Sequence, residues 1–155
     1  MLGLPMARFS ATGDVIYTHS IQLVKYKEGD STSRTMIGYA PTDLNVDMRD
    51  AYNTGHVVFL YRGILYSEGT YSSIKSNTFQ NEFQKGSTGK CKGLTVREIV
   101  ICTYNKTKAT ISFHVPTRHA GPIVAFTNVP SSPELKPVGY MFRQGEIIEV
   151  LKYLL

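Results

Sequence analysis

The sequence has few cysteines, no tryptophan and few charged residues, and these shortages exclude several classes of protein. Two cysteines in 155 residues, Cys91 and Cys102, are too few for a disulfide-stapled miniprotein. Only 19% of the residues are charged while 42% are hydrophobic, which excludes an intrinsically disordered chain. No apolar run approaches the roughly 20 residues that a membrane-spanning helix needs. The expectation is therefore a single globular domain.

The first residues of the chain are apolar, but the apolar stretch is short. Pro5 and Arg8 interrupt it, which is a poor match to a secretory signal peptide. We therefore expect neither a signal peptide nor a transmembrane segment, and both thiols are expected to be reduced. An apolar arm broken by proline cannot bury itself, so residues 1–13 are interpreted as an arm that is either disordered or docked, on its own domain or on a neighbouring molecule, and self-association is the hypothesis. The residues assigned to self-association are Leu2, Leu4, Pro5 and Met6.

Apolar periodicity predicts that most of the regular structure is β-strand. Alternating apolar residues, or runs of β-branched and aromatic ones, are typical of strands. They fall at residues 15–26, 35–39, 56–67, 94–103, 109–115 and 123–126. The strands on either side of residues 104–108 are joined by a turn-like sequence, so they are expected to form a β-hairpin.

Helical spacing is visible after the second of these strands. Leu44, Met48 and Tyr52 share one face of a helix that would be capped by Thr42 and end before Gly55. Residues 68–93 are polar and are predicted to be a long loop. The C-terminal segment stays open between a strand pair about residues 144–145 and a helix from residue 146. The predicted fold is α+β, a mostly antiparallel β-sheet packed against one or two α-helices, in one domain over residues 14–155.

The residue types that carry catalysis or bind metals do not form a recognisable site. Cys91 lies between two lysines that would lower its thiol pKa, but no histidine is fixed beside it. Cys102 falls within an apolar strand pattern and is expected to be a core residue. The glycine-rich segment at residues 86–90 lacks the flanking residues of a phosphate-binding P-loop. The histidines, which are His19, His56, His114 and His119, lack metal-ligand spacing. We therefore predict no catalytic residue, no metal and no cofactor.

The basic residues are concentrated in one part of the sequence. The net charge is +5, and residues 85–118 hold seven basic residues against Glu98 alone. A localised basic region predicts an anionic partner, because each lysine near an anionic membrane contributes about 1 kcal/mol and contacts to nucleic-acid phosphates are comparably additive. Tyr104 is placed to stack on a base, and a solubilising surface is the simpler alternative. The candidate binding residues are Lys85, Lys90, Lys92, Arg97, Lys106, Lys108 and Arg118.

The order of the predicted elements resembles that of the rhabdovirus matrix proteins. The likeness extends over most of residues 15–155. It is best in the helix-glycine-strand region at residues 47–73 and at residues 120–142, where small-Pro-apolar and later Met-Phe elements recur in similar order. It implies a non-enzymatic viral structural protein of the virion and host cytoplasm, peripheral to the membrane. Such a protein self-associates and joins the viral ribonucleoprotein to the anionic inner leaflet. The chain lacks a lysine-rich N-terminal tail and a Pro-Pro-x-Tyr motif, which fits a plant-infecting member better than an animal one.

Two other functions stay open beside the matrix hypothesis. One is a single-stranded nucleic-acid-binding viral accessory protein, acting in movement or silencing suppression, which would use the same basic residues. The other is a small cysteine hydrolase. On the leading hypothesis the partners are a second copy of the chain, viral ribonucleoprotein or RNA, and an anionic membrane surface, with no small-molecule substrate.

Overall fold

The computed structural model describes residues 8–29, 33, 35–45, 55–60, 63–67, 70–71, 73–85, 94–141 and 144–151. This part of the chain contains eleven strands and one helix. They are β1 (Arg8–Phe9), β2 (Val15–Lys25), β3 (Met36–Pro41), β4 (His56–Phe59), β5 (Ile64–Ser67), β6 (Thr70–Tyr71), α1 (Ser73–Gln84), β7 (Ile99–Asn105), β8 (Thr110–His114), β9 (Ile123–Phe126), β10 (Leu135–Tyr140) and β11 (Ile147–Leu151).

The strands form two antiparallel sheets that pack face to face as a β-sandwich. The first sheet has the order β1-β2-β7-β8-β9, with β11 pairing the later part of β2. The second has the order β10-β3-β4-β5-β6. Within the second sheet, Pro137 of β10 lies opposite Tyr39 of β3. Proline offers no N–H to a neighbouring strand, so it is tolerated here because β10 is an edge strand.

The hydrophobic core lies between the sheets because successive side chains of each strand point to opposite faces. Along β7 and β8 half-buried and buried residues alternate, as a sheet with one covered face requires. The fully buried residues with the largest side chains are Tyr39, Phe83, Phe113, Ile21, Leu23, Ile37, Leu60, Leu94, Ile111, Val57, Val58 and Val100. A smaller cluster of Met36, Ala40, Val57 and Val138 is buried on the second sheet as well.

Helix α1 packs against β5 and β9 through two phenylalanines. Phe79 and Phe83 are four residues apart, which places them on one helical face, and both are buried. The ring of Phe79 meets that of Phe113 edge-on at 5.9 Å. Gly63 lies beneath Phe83: a Cβ there would stand 2.9 Å from its Cδ1, and the φ of +72° also favours glycine. The helix thus belongs to the sandwich core.

The α+β prediction is wrong: the described residues form a sandwich of two antiparallel sheets with a single short helix. That helix lies within residues 68–93, where the sequence predicts a loop. The prediction fails because only a few residues of the helix are apolar and the remaining ones are polar. The helix predicted between Thr42 and Gly55 falls largely outside the described residues, as do residues 1–7 of the predicted arm. Residues 8–9 of that arm form β1.

Several strand predictions are confirmed, with changes in detail. The β7–β8 hairpin forms as expected. Residues 56–67, which are predicted as one strand, form two strands, β4 and β5, and these pair with each other. The C-terminal segment is a strand, β11, but it pairs with β2 and not with its predecessor β10. Among the described residues, no helix is both long enough and apolar enough to cross a membrane.

Candidate functional site

A pocket of about 120 Å³ opens at one end of the sandwich. It is formed where β2 begins, β7 ends, β3 ends and β10 begins, so both sheets contribute to it. Its lining residues are Tyr17, Thr42, Tyr104, Lys106, Ser131, Glu134 and Leu135. We call this the pocket end, and we call the opposite end, which holds Glu98, Arg118 and His119, the far end.

Two tyrosine rings form one wall of the pocket. Tyr17 and Tyr104 lie directly opposite each other on β2 and β7, so their rings stack with centroids 5.9 Å apart. Tyr39 of the facing sheet contacts Tyr104 at 5.5 Å, and His19 contacts Tyr39 edge-on at 4.8 Å. The stack is therefore supported from within the core, which fixes the orientation of the Tyr104 ring.

The β7–β8 turn positions Lys106 at the pocket. The side-chain oxygen of Asn105 accepts a hydrogen bond from the Lys108 backbone N–H at 2.9 Å, and Asn105 Nδ2 donates to Asp14 at 3.0 Å. The Lys106 backbone N–H donates to the Val15 carbonyl, and the Val15 N–H donates to the hydroxyl of Thr107. These bonds tie the turn to the start of β2, so the base of the Lys106 side chain is held in place.

The opposite wall comes from the second sheet. The backbone N–H of Thr42, just after β3, donates to the carbonyl of Glu134, just before β10, at 2.9 Å. The buried ammonium of Lys136 donates to the carbonyls of Thr42 and Leu44 at 3.1 and 3.0 Å. This bonding holds the β3 end against the β10 start, with Glu134 exposed at the rim.

The polar side chains that line the pocket are unengaged. Within the part of the chain that the structure describes, none of their hydroxyl, ammonium or carboxylate groups makes a hydrogen bond or ion pair. These side chains belong to Tyr17, Thr42, Tyr104, Lys106, Ser131 and Glu134. The pocket therefore presents a cation, an anion and four hydroxyl groups beside two aromatic rings.

At the far end the charges are paired with each other. Arg118 forms an ion pair with Glu98, with Nε 2.8 Å from Oε2 and a second contact from Nη2, and its side chain is 2% exposed. Glu98 also accepts hydrogen bonds from the hydroxyls of Thr95 and Thr117. Burial alone would raise the pKa of Glu98, but these hydrogen bonds outweigh it and lower the pKa to about 2. Arg118 is thus a structural residue of the fold.

The structure does not bring the sequence-predicted basic residues together in one patch. Lys106 and Lys108 lie in the β7–β8 turn, whereas Arg97 and Arg118 lie beyond the other ends of these strands, about 25 Å away at 3.4 Å per residue. Lys85 follows α1 and pairs with Glu82 at 2.6 Å, and Lys108 pairs with Asp14 at 3.6 Å. Lys90, Lys92 and the predicted self-association residues Leu2, Leu4, Pro5 and Met6 lie outside the described residues.

The remaining catalytic and metal candidates are buried or already bonded. Cys102 is buried in the core, which raises the pKa of its thiol, and Cys91 lies outside the described residues. His119 accepts from the Val115 N–H at Nδ1, and its Nε2 lies 3.0 Å from the Phe83 carbonyl. His56 Nδ1 bonds to the hydroxyl of Ser67. In the described ranges no group of three or more potential ligands is placed to hold a metal ion.

Comparisons with known proteins identify the fold and no family. No family model matches the chain, and no curated protein matches it. Among solved structures, the SPRY domain of human HERC1 is similar with a TM-score of 0.58 and 19% sequence identity, over 97% of this chain and 80% of that one. This likeness agrees with the β-sandwich described above. The resemblance to rhabdovirus matrix proteins, and the roles it implies, stay predictions.

Sequence reasoning identified Lys106 and Tyr104 but missed the rest of the pocket. Tyr17 was assigned to the apolar side of β2, and its stacking follows only from the register with β7. Thr42, Ser131 and Glu134 reach the site because β3 pairs with β10, whose residues are almost 100 positions later in the chain. Such pairing leaves no local signal in a single sequence.

Proposed function

We propose that the protein is a binding module that takes a short segment of a partner protein at the pocket end. The observation that carries this proposal is the pocket itself, in which stacked tyrosines lie beside charged and hydroxyl groups that have no partner in the described chain. Unengaged polar groups around an aromatic wall are what a recognition site for a peptide requires, because the rings supply contact area and the polar groups supply specificity.

The size of the pocket supports a protein segment over a small-molecule substrate. Pockets that bury most of a drug-sized ligand have volumes of about 300–1,000 Å³, whereas this one has about 120 Å³. It accommodates one side chain or the polar ends of two neighbouring ones, while the remainder of the ligand lies outside it. A peptide laid across the rim meets this description.

The proposal is tested with a displayed library of random linear peptides selected against the purified protein. Selected peptides are then measured by fluorescence polarisation on the wild type and on Ser131→Trp, which places an indole in the pocket. Thr127→Trp is the matched control, since Thr127 is exposed in the same β9–β10 connection but does not line the pocket.

We expect at least tenfold weaker binding to Ser131→Trp and a change below twofold for Thr127→Trp. A library that yields no binder, or binders with equal affinity for the wild type and both variants, overturns the proposal. Circular dichroism of both variants checks that the tryptophans leave the sandwich folded.

A further inference from the structure

The two charges of the pocket have opposite signs, and neither is neutralised by the described residues. Lys106 is half-buried in the β7–β8 turn and Glu134 is exposed at the start of β10, and both line the same small pocket. Neighbouring charges outside the pocket are different, because Lys108 is paired with Asp14. Among the described residues, a cation and an anion without an ion-pair partner therefore flank the tyrosine stack.

From this arrangement we propose that the partner segment carries an acidic and a basic side chain close together, the acidic one contacting Lys106 and the basic one contacting Glu134. The inference rests on the proposed function and adds the chemistry of the ligand. The hydroxyls of Tyr17, Thr42 and Ser131 can donate to the acidic group or accept from the basic one. A basic side chain beside Glu134 can also pack on an aromatic face of the stack.

A ligand of a single sign fits the pocket less well. A uniformly acidic segment, or the phosphate backbone of a nucleic acid, gains from Lys106 but is repelled by Glu134. A uniformly basic segment has the reverse problem. The basic residues at the far end are distant from the pocket, and Arg118 is paired with Glu98. They therefore do not favour binding of an anionic ligand at the pocket.

The pocket dimensions also limit the spacing of the two ligand charges. In an extended peptide, residues i and i+2 project from the same face and are about 7 Å apart. Lys106 and Glu134 line one pocket of about 120 Å³, so their two partners must be near neighbours in the segment. We therefore expect the acidic and basic residues within about two positions of each other.

The experiment is a charge-reversal cycle on selected peptides. A peptide selected by the wild type is measured on Lys106→Glu and on Glu134→Lys, together with peptide versions in which the acidic residue becomes lysine or the basic residue becomes glutamate. Lys27→Glu and Glu28→Lys are matched controls, because both residues are exposed and follow β2 at the end away from Tyr17.

We expect each pocket reversal to weaken binding of the original peptide about tenfold, since a like-charge contact replaces an attraction. The peptide with its acidic residue changed to lysine should recover binding to Lys106→Glu but not to Glu134→Lys, and the converse peptide should do the opposite. Binding to the wild type should also weaken as salt is raised. The control reversals should change the affinity by less than twofold.

The outcomes separate this inference from the proposed function. Peptides without a neighbouring acid and base, or peptides indifferent to both reversals but blocked by Ser131→Trp, overturn the inference and leave the binding module standing. An absence of any selected peptide overturns both. A labelled single-stranded oligonucleotide that binds the wild type, is lost on Lys106→Glu and binds more tightly to Glu134→Lys would identify a phosphate site and refute the charge-paired peptide.

Discussion

The two ends of the sandwich use charged residues in opposite ways, although β7 and β8 contribute to both. At the far end Glu98 and Arg118 neutralise each other, and two threonine hydroxyls complete the bonding of the carboxylate. At the pocket end Lys106 and Glu134 line the pocket and make no ion pair within the described residues. The far end is therefore built to hold strands together, and the pocket end is built so that its polar groups remain accessible.

This difference shows why sequence position alone is a poor guide to the function of a charge. Arg118 and Lys106 both belong to the basic stretch of the sequence, yet one is almost fully buried in an ion pair and the other lines a pocket. A single acidic residue, Glu98, decides which of them is available. The comparison predicts that stability depends on the far end and that binding depends on the pocket end.

The largest expected effect comes from breaking the far-end ion pair. Glu98→Gln leaves the Arg118 guanidinium buried without its counter-charge, which should lower the free energy of unfolding by about 3 kcal/mol. Urea denaturation at neutral pH measures this loss. Glu149→Gln on the exposed face of β11 is the control and should cost less than about 0.5 kcal/mol. Equal stability of the two variants would contradict the division between the ends.

Lowering the pH should reduce the free energy of unfolding through a histidine buried in the core between the two ends. Burial lowers the pKa of His19 from its ordinary 6.5 to about 3, and neither ring nitrogen has a hydrogen-bond partner among the described residues. As the pH falls below 6.5 the unfolded chain binds the proton first, so this group costs about 1.4 kcal/mol of stability per pH unit until about pH 3. His119 acts in the same direction because burial lowers its pKa too.

His19→Phe tests this prediction by removing the buried imidazole. Between pH 6.5 and pH 5 the wild type should lose about 2 kcal/mol through His19 alone, and the variant should keep that amount. Urea denaturation at pH 7, 6 and 5 gives the slopes. A variant that loses stability with falling pH as steeply as the wild type would show that His19 is not the group responsible.

A hydroxyl should matter at the far end and not at the pocket end. The hydroxyl of Thr95 donates to Glu98 at 2.7 Å, whereas that of Thr42 lines the pocket without a bond in the described chain. We expect Thr95→Val to cost about 1.5 kcal/mol, the lower end of the usual net value for a hydrogen bond to a charged group. Thr42→Val should cost no more than about 0.5 kcal/mol. Thermal denaturation of both variants checks the difference, and a reversed order would contradict it.

The smallest expected effect on stability comes from the pocket charges themselves. The side chains of Lys106 and Glu134 make no hydrogen bond or ion pair with the described residues. Lys106→Ala and Glu134→Ala should therefore each change the free energy of unfolding by less than about 0.5 kcal/mol. The same variants should weaken binding of a selected peptide. A loss of more than 1 kcal/mol in either variant would mean that the residue holds the fold and not the ligand.

Local features of the fold could be predicted from the sequence. The β7–β8 hairpin was identified because its strands and turn are contiguous, and β2 because its apolar residues alternate. Helix α1 was missed because its residues are polar apart from Ile74, Phe79 and Phe83. Phe83 of this helix packs over Gly63, which only the folded chain brings beneath it, and such tertiary packing usually supplies most of the stability of a short helix.

The candidate site was predictable only in the part that belongs to one hairpin. Lys106 and Tyr104 are neighbours in the chain and were singled out together. Glu134 comes from a strand paired across the second sheet, and the sandwich architecture itself depends on which strands pair at long range. The fold-class prediction failed for this reason, because the alternation of apolar and polar residues indicates a strand but does not show which other strand it pairs with.

The proline in β10 also affects what the molecule does at high concentration. Open strand edges are the places where β-proteins recruit further copies and grow into fibres. A strand approaching β10 from outside would find no amide hydrogen at Pro137, so that edge is a poor template for continuing the sheet. The same residue that marks the border of the second sheet in the described chain therefore disfavours growth of that sheet by the addition of further copies.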